Sequence, residues 1–182
     1  MKEKIRIDEL NFRMFNPLEN QSEELPDVPG NYIVALQETA DLPDISIVPV
    51  YDDYNGYRVI YTGISKKSLR SRDYRQHFTG NNAGRSTLRK SLGSLMRLRK
   101  IPRDRFNPEN GKTRFCDKDE EKLSDWMKKN LLLLYRPEME CSKVEALEDF
   151  LIEVLNPPLN LMKNQNEVNK DYREELKKLR KI

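Results

Sequence analysis

Val59-Ile60-Tyr61-Thr62-Gly63-Ile64-Ser65-Lys66-Lys67-Ser68-Leu69-Arg70-Ser71-Arg72 reads as a β-strand that ends on a glycine and hands the chain to an arginine-rich helix. Residues 59–62 are all β-favouring, and Asn55-Gly56 just upstream is a strong hairpin signal. A second strand, residues 31–36, follows Pro29-Gly30. Residues two apart in a strand share a face, so Gly30 projects with Tyr32 and Tyr61 with Gly63. Two tyrosine–glycine pairs on neighbouring strands are thus aimed at a basic helix.

The surrounding chain bounds what this junction can serve. At 182 residues, with 37% hydrophobic and 35% charged, the sequence suits one domain with a modest core. No apolar run reaches the ~18 residues of a membrane span, and residues 1–6 lack the apolar block of a signal peptide. Cys116 and Cys141 have no metal-ligand spacing and His77 is the only histidine, which argues against zinc and for a reduced, cytoplasmic setting. The net charge of +3 hides an asymmetry: residues 58–105 carry fourteen Lys/Arg against Asp73 and Asp104, leaving the remainder at −9. Such a local excess is the footprint of a polyanion partner, and its bland alternative is a solvated basic face.

Residues 1–28 read as a lead-in in which Phe12, Met14, Phe15 and Leu18 can pack on the domain. Residues 47–51, interrupted by Pro49, suggest a short edge strand. Ser68 is placed to cap a helix through Phe78, closed by Thr79-Gly80 and followed by a loop at 81–84. Ser86 or Thr87 caps the next helix, which carries Leu88, Leu92 and Leu95 at helical spacing. Residues 102–112 read as a loop. Asp117 with Glu120, and Ser142 with Glu145, look like capping boxes. The apolar run 131–134 is expected as a buried strand, although leucine alone also allows a helix. Val144, Leu147, Leu151 and Val154 or Leu155 form one stripe of a helix stopped by Asn156-Pro157-Pro158. Residues 163–182 turn polar and end in a helix.

Gly30-Asn31-Tyr32, Tyr61-Thr62-Gly63, Leu69-Arg70-Ser71-Arg72, His77-Phe78, Glu148 and Asn160 occur in an order that resembles the GIY-YIG endonucleases, over residues 29–161. Either tripeptide alone is weak; the ordered set is specific. The resemblance implies a mixed α/β (α+β) fold, a small central three-stranded antiparallel sheet flanked by helices, that cuts DNA with one divalent ion, Mg2+ or Mn2+. It implies that Glu148 is the metal ligand, as a hard cation prefers a carboxylate. Arg72 would face the phosphate charge, Tyr61 and Tyr32 would orient or deprotonate water, and His77 would assist. Asn160 would brace the site by hydrogen bonds. Glu145, Asp149 and Glu153 on the same helix compete with Glu148.

Asn31 and Thr62 replace the apolar middle residues usual in the family. The arginine spacing also departs: the family sets arginine four residues before the histidine or tyrosine, whereas Arg72 and His77 are five apart, about 140° around a regular helix. A one-residue bulge would align them, and Arg70 and then Arg75 are the alternatives. Lys66, Lys67, Arg70, Arg75, Arg85, Arg89 and Lys90 are candidate phosphate contacts. The expected partner is double-stranded DNA, with a homodimer or a partner protein supplying specificity. The rival reading is a non-catalytic nucleic-acid-binding module that keeps the fold.

Overall fold

A computed structural model of the chain describes residues 7–79 and 83–181. The expected closing Gly80, the loop residues Asn81 and Asn82, and the N-terminal residues 1–6 lie outside that range. The α+β class is as expected, but the antiparallel sheet has five strands, not three. They are β1 (Arg13–Phe15), β2 (Gly30–Leu36), β3 (Asp53–Tyr54), β4 (Tyr57–Ser65) and β7 (Leu131–Pro137), in the order β1-β7-β2-β4-β3. The central three are those the sequence points to. The edges come from the lead-in, whose Phe15 is buried, and from a two-residue arm of the Asn55-Gly56 hairpin. Both turn residues have positive φ, 52° and 82°, as this tight turn requires. Met14 and Leu18, expected to pack, are exposed.

A separate hairpin, β5 (Lys100–Pro102) with β6 (Thr113–Phe115), flanks the loop read at 102–112 and overlaps it only at Pro102. Residues 47–51 form no strand. The Asn169 amide instead bonds both backbone groups of Val50, at 2.9 and 2.8 Å, doing the work of a strand partner.

Strand alternation sorts the core into two layers. Tyr32, Val34 and Leu36 of β2 face one side with Leu131, Leu133 and Tyr135 of β7. That side is covered by the helix Arg70–Phe78, by α1 (Thr87–Leu95) and α2 (Asp117–Asn130), and by α4 (Lys170–Lys181). Ile33, Ala35, Val59 and Leu134 face the other side, against Leu147, Leu151 and Leu155 of α3 (Cys141–Leu155). Val154 is exposed, so Leu155 completes the stripe. The polar C-terminal segment is no loose tail, because Tyr172, Leu176 and Leu179 of α4 are buried in the first layer.

The helix over residues 70–78 is a π-helix. It opens with Ser68, whose Oγ accepts from the Ser71 amide at 3.0 Å, and ends with an i→i+5 bond from Thr79 N–H to Tyr74 O at 2.9 Å.

Neither capping box forms. Asp117 pairs with Arg114, and Ser142 donates to Glu140 while Glu145 pairs with Lys66. Glu120 turns inward, where its carboxylate meets the guanidinium of Arg89 at 2.7 Å. Both side chains are fully buried, so Arg89 is not available to a phosphate. It also donates to the His77 carbonyl at 2.6 Å and to Ser124 Oγ at 3.0 Å, while Glu120 accepts from the Ala83 amide at 2.9 Å. This knot ties the end of the π-helix to α1 and α2. Removing one member of such a pair strands a buried charge. Arg89→Ala is therefore expected to lose about 3–5 kcal/mol of stability in urea denaturation, whereas an arginine that only contacted phosphate would leave the midpoint unchanged.

Candidate active site

The register of β2 and β4 sets Tyr32 opposite Gly63 and Val34 opposite Tyr61, so both tyrosines face the π-helix. A β-bulge after Val34 inserts Ile60 beside Tyr61. The glycines are needed for space. A Cβ on Gly63 would lie 2.5 Å from the Tyr32 hydroxyl oxygen, and one on Gly30 would lie 2.3 Å from the Arg136 carbonyl oxygen. Tyr32 thereby lies across β4 and reaches His77, with Tyr32 Oη 2.8 Å from His77 Nε2. On the other side of the ring, His77 Nδ1 lies 2.8 Å from Ser86 Oγ, the N-cap of α1. Tyr32 also stands beside Tyr61, with ring centroids 6.3 Å apart, and its side chain works to lower the Tyr61 pKa.

Winding as a π-helix resolves the spacing of the arginines. Its i→i+5 ladder puts Arg72 and His77 on one face, and Arg72 is close enough to lower the pKa of both His77 and Tyr61. Arg72 Nη1 is held by Gln76 Oε1 at 2.8 Å. Arg70 instead donates to the carbonyls of Leu25 and Glu23, fastening the lead-in, and Arg75 is exposed beside Glu23. Of the three, Arg72 is the one beside the tyrosines.

The distant half of the site arrives at the outer edge of β4. Asn160 accepts from Thr62 N–H and donates to Thr62 O, both at 2.9 Å, and Leu159 N–H donates to Ile60 O. These bonds continue the sheet edge that the short β3 leaves open. They draw the end of α3 towards the tyrosines, so that Tyr61, Glu148, Asn160 and Lys163 line a pocket of about 200 Å³. Among the four carboxylates of α3 considered from sequence, Glu148 is the one in this pocket and the one that acts on Tyr61. Its side chain is 15% exposed and is bonded by Lys163 Nζ at 2.7 Å. Lys163 also bonds Asp149 at 2.8 Å, and the two carboxylates raise its pKa.

Burial pushes the Tyr61 pKa up, with Glu148 adding to it, although Arg72, Tyr32 and Arg180 oppose the rise. His77 is fully buried and held well below its usual pKa, first by burial and then by Arg72 and Arg89, so it is neutral.

Lys66, Lys67, Arg75 and Arg85 are exposed, with Lys66 paired to Glu145 at 2.5 Å. Lys66, Lys67, Arg72 and Arg75 border an open hollow of about 640 Å³ next to the site. Lys90 is half-buried in a second cationic group that sequence reading missed. Burial and Arg180 lower its pKa, and Lys100 is lowered by burial and then by Lys90, Arg180 and Arg97. Arg180 lies in a segment that reads as a polar tail, and only the packing of α4 on α1 brings it near Tyr61. Among the described residues, no group of three or more His, Cys, Asp or Glu could hold a metal ion. Glu148 with its pocket suits a hard cation that keeps most of its shell as water or phosphate oxygen.

Gly63→Ala forces its methyl group into the Tyr32 hydroxyl. Overpacking of this kind costs about 1–3 kcal/mol, read as a lowered thermal midpoint, and Tyr32→Phe on the same background should recover part of the loss.

No curated protein and no solved structure matches the chain. The model of the GIY-YIG catalytic domain matches residues 30–182, a span that takes in both tyrosine–glycine strands, the π-helix, Glu148, Asn160 and α4, and the chain belongs to this family of nuclease-type domains.

Proposed function

We propose that the protein is a divalent-metal-dependent endonuclease that hydrolyses phosphodiester bonds of double-stranded DNA. The observation that carries this reading is the gathering of Tyr32, His77, Arg72 and Glu148 around Tyr61 beside an open basic hollow. One ion, Mg2+ or Mn2+, held by Glu148 would polarise a phosphoryl oxygen and offset the carboxylate charge that adds to burial in raising the Tyr61 pKa.

The chain's own groups do the rest. Arg72, fixed by Gln76, offers permanent positive charge to the phosphate as negative charge builds on it. Tyr61, as phenolate, takes a proton from the attacking water. The new P–O bond forms as the ester P–O bond breaks, and the leaving oxygen takes a proton from solvent. Asn160 holds β4 and the end of α3 in register, and so acts through structure. Lys163 has Asp149 to retain when a metal takes Glu148.

Lys66, Lys67 and Arg75 at the hollow, with Arg85, and the group of Lys90, Arg97, Lys100 and Arg180 that reaches Tyr61 would together give the duplex a cationic track. A second copy or a partner protein would supply cleavage of both strands and sequence choice. The free thiols of Cys116 and Cys141 suit a cytoplasmic setting.

Plasmid incubated with Mg2+ or Mn2+ tests the reading. The wild type should nick or linearise it, and Glu148→Gln should lower the rate by at least ~100-fold, since a mutation that removes one major charge-stabilising group costs about 10²–10³ in rate. Arg72→Ala should do the same with binding nearly kept, whereas Arg75→Ala should cut. Binding without cleavage by the wild type would leave the non-catalytic module as the answer.

The track has its own test. Lys90→Ala with Arg180→Ala should flatten the slope of log affinity against log salt by about 2, measured by fluorescence anisotropy on a short duplex. An unchanged slope would remove that group from the DNA path.

A further inference from the structure

We infer that Ser86 is a positioning residue whose hydroxyl selects the tautomer of His77 and so sets the direction of a buried hydrogen-bond chain that runs to Tyr32, beside Tyr61. The catalytic use of that chain rests on the nuclease reading above; the direction itself rests on geometry.

The argument starts at the N-terminus of α1. Ser86 caps this helix, and its Oγ accepts from the Arg89 amide at 3.1 Å. A hydroxyl also has one hydrogen to give. Ser86 is buried, and His77 Nδ1, at 2.8 Å, is the acceptor within its reach among the described residues. Ser86 therefore donates to Nδ1, which must present a lone pair. A neutral imidazole carries one N–H, so it falls on Nε2. Full burial, with Arg72 and Arg89 nearby, keeps the ring neutral.

The direction then propagates. Nε2–H donates to Tyr32 Oη at 2.8 Å. Tyr32 is fully buried with its ring 6.3 Å from that of Tyr61, so its own hydrogen can be turned to Tyr61, whose pKa it works to lower. Each donor in the series Arg89 N–H, Ser86 and His77 is directed towards Tyr32 and the site. The series begins on a helix N-terminal amide, where the helix dipole is positive, so its polarity matches a negative charge developing at the far end.

The reverse order fails at two places. An Nδ1–H donating to Ser86 would leave the buried serine hydrogen without an acceptor. It would also turn the Tyr32 hydrogen towards Nε2 and leave Tyr61 only as a donor to Tyr32, which holds the proton on the residue read as the base. In the assigned direction His77 is not the base: both ring nitrogens are committed, and Tyr61 is the one member whose hydrogen can be exchanged with the pocket. Ser86 thus contributes to a reacting oxygen it never touches.

His77 is the only histidine in the chain, so a long-range ¹H–¹⁵N correlation spectrum of the full protein shows a single imidazole pattern. The wild type should show the Nε2–H tautomer at neutral pH, with Nδ1 at a hydrogen-bonded acceptor shift. Ser86→Ala should move the Nδ1 resonance towards that of a free acceptor, and Ser86→Thr, which keeps a hydroxyl and a cap, should restore it. An Nδ1–H tautomer or an imidazolium in the wild type overturns the assignment, as does an unmoved Nδ1 resonance in folded Ser86→Ala. Should Ser86→Ala not fold, the wild-type spectrum decides alone.

Cleavage is read separately, with Ser86→Ala expected to be about tenfold slower and Ser86→Thr close to wild type. A wild type that shows the Nε2–H tautomer but cuts no DNA defeats the nuclease reading and keeps the assignment. One that cuts with an Nδ1–H tautomer does the opposite.

Discussion

Two hydrogen bonds from one side-chain amide hold the candidate site together. Asn160 meets both backbone groups of Thr62 and so takes the place of a strand along the outer edge of β4. Without a partner there, that edge would present unpaired amides and carbonyls, and the chain after α3 would have nothing to fix its path. With it, Glu148 is carried to the rim of the pocket that Tyr61 opens into. The same device recurs nearby. Asn169 clamps Val50, Asn164 donates to the Pro157 carbonyl, and Asn156 turns the chain in the left-handed region at φ 38°. Buried amides thus organise the return of the chain where β-strands do not.

The near half of the site depends on a different constraint. Arg72 and His77 are five residues apart, and only winding with i→i+5 bonds lets both serve one face. A π-helix is a poor structure by itself, so its persistence needs outside support. The buried Arg89–Glu120 pair supplies this by bonding the His77 carbonyl and the Ala83 amide, on either side of the turn into α1. An arginine that looks like a phosphate contact in the sequence therefore sustains the helix that carries Arg72. Ser86 joins the two devices, since it caps α1 and also holds the ring of His77.

The parts of the fold that could be read from the chain are those decided by local patterns. Alternation in 30–36 and 57–65, the turn at Asn55-Gly56 and the apolar run at 131–134 each marked the strand that forms. The stripe of Val144, Leu147 and Leu151 marked the buried face of α3. The misreadings involve residues whose local role competes with a distant partner. Glu120 looks like a capping carboxylate until Arg89 comes from another helix. Residues 47–51 look like a strand until Asn169 takes their backbone bonds. The polar residues after Met162 look like a solvated tail, because an asparagine that clamps backbone has the same composition as one that faces water.

What the sequence by itself determined was the inventory and the order: two tyrosine–glycine strands, an arginine-rich helix, one histidine, and a helix bearing Glu148 ahead of Asn160. Strand period and turn chemistry are short-range, so they survive without knowledge of the rest of the chain. Only the tertiary structure decided which arginine stands beside the tyrosines, that Arg89 is buried while Arg180 is close to Tyr61, and that Ser86 and Tyr32 meet the two ring nitrogens of His77. Those outcomes are set by long-range packing and by the need to satisfy each buried polar group with a partner far along the chain. The spacing that seemed a defect, five residues between Arg72 and His77, is the hydrogen-bond step of the helix the packed structure adopts.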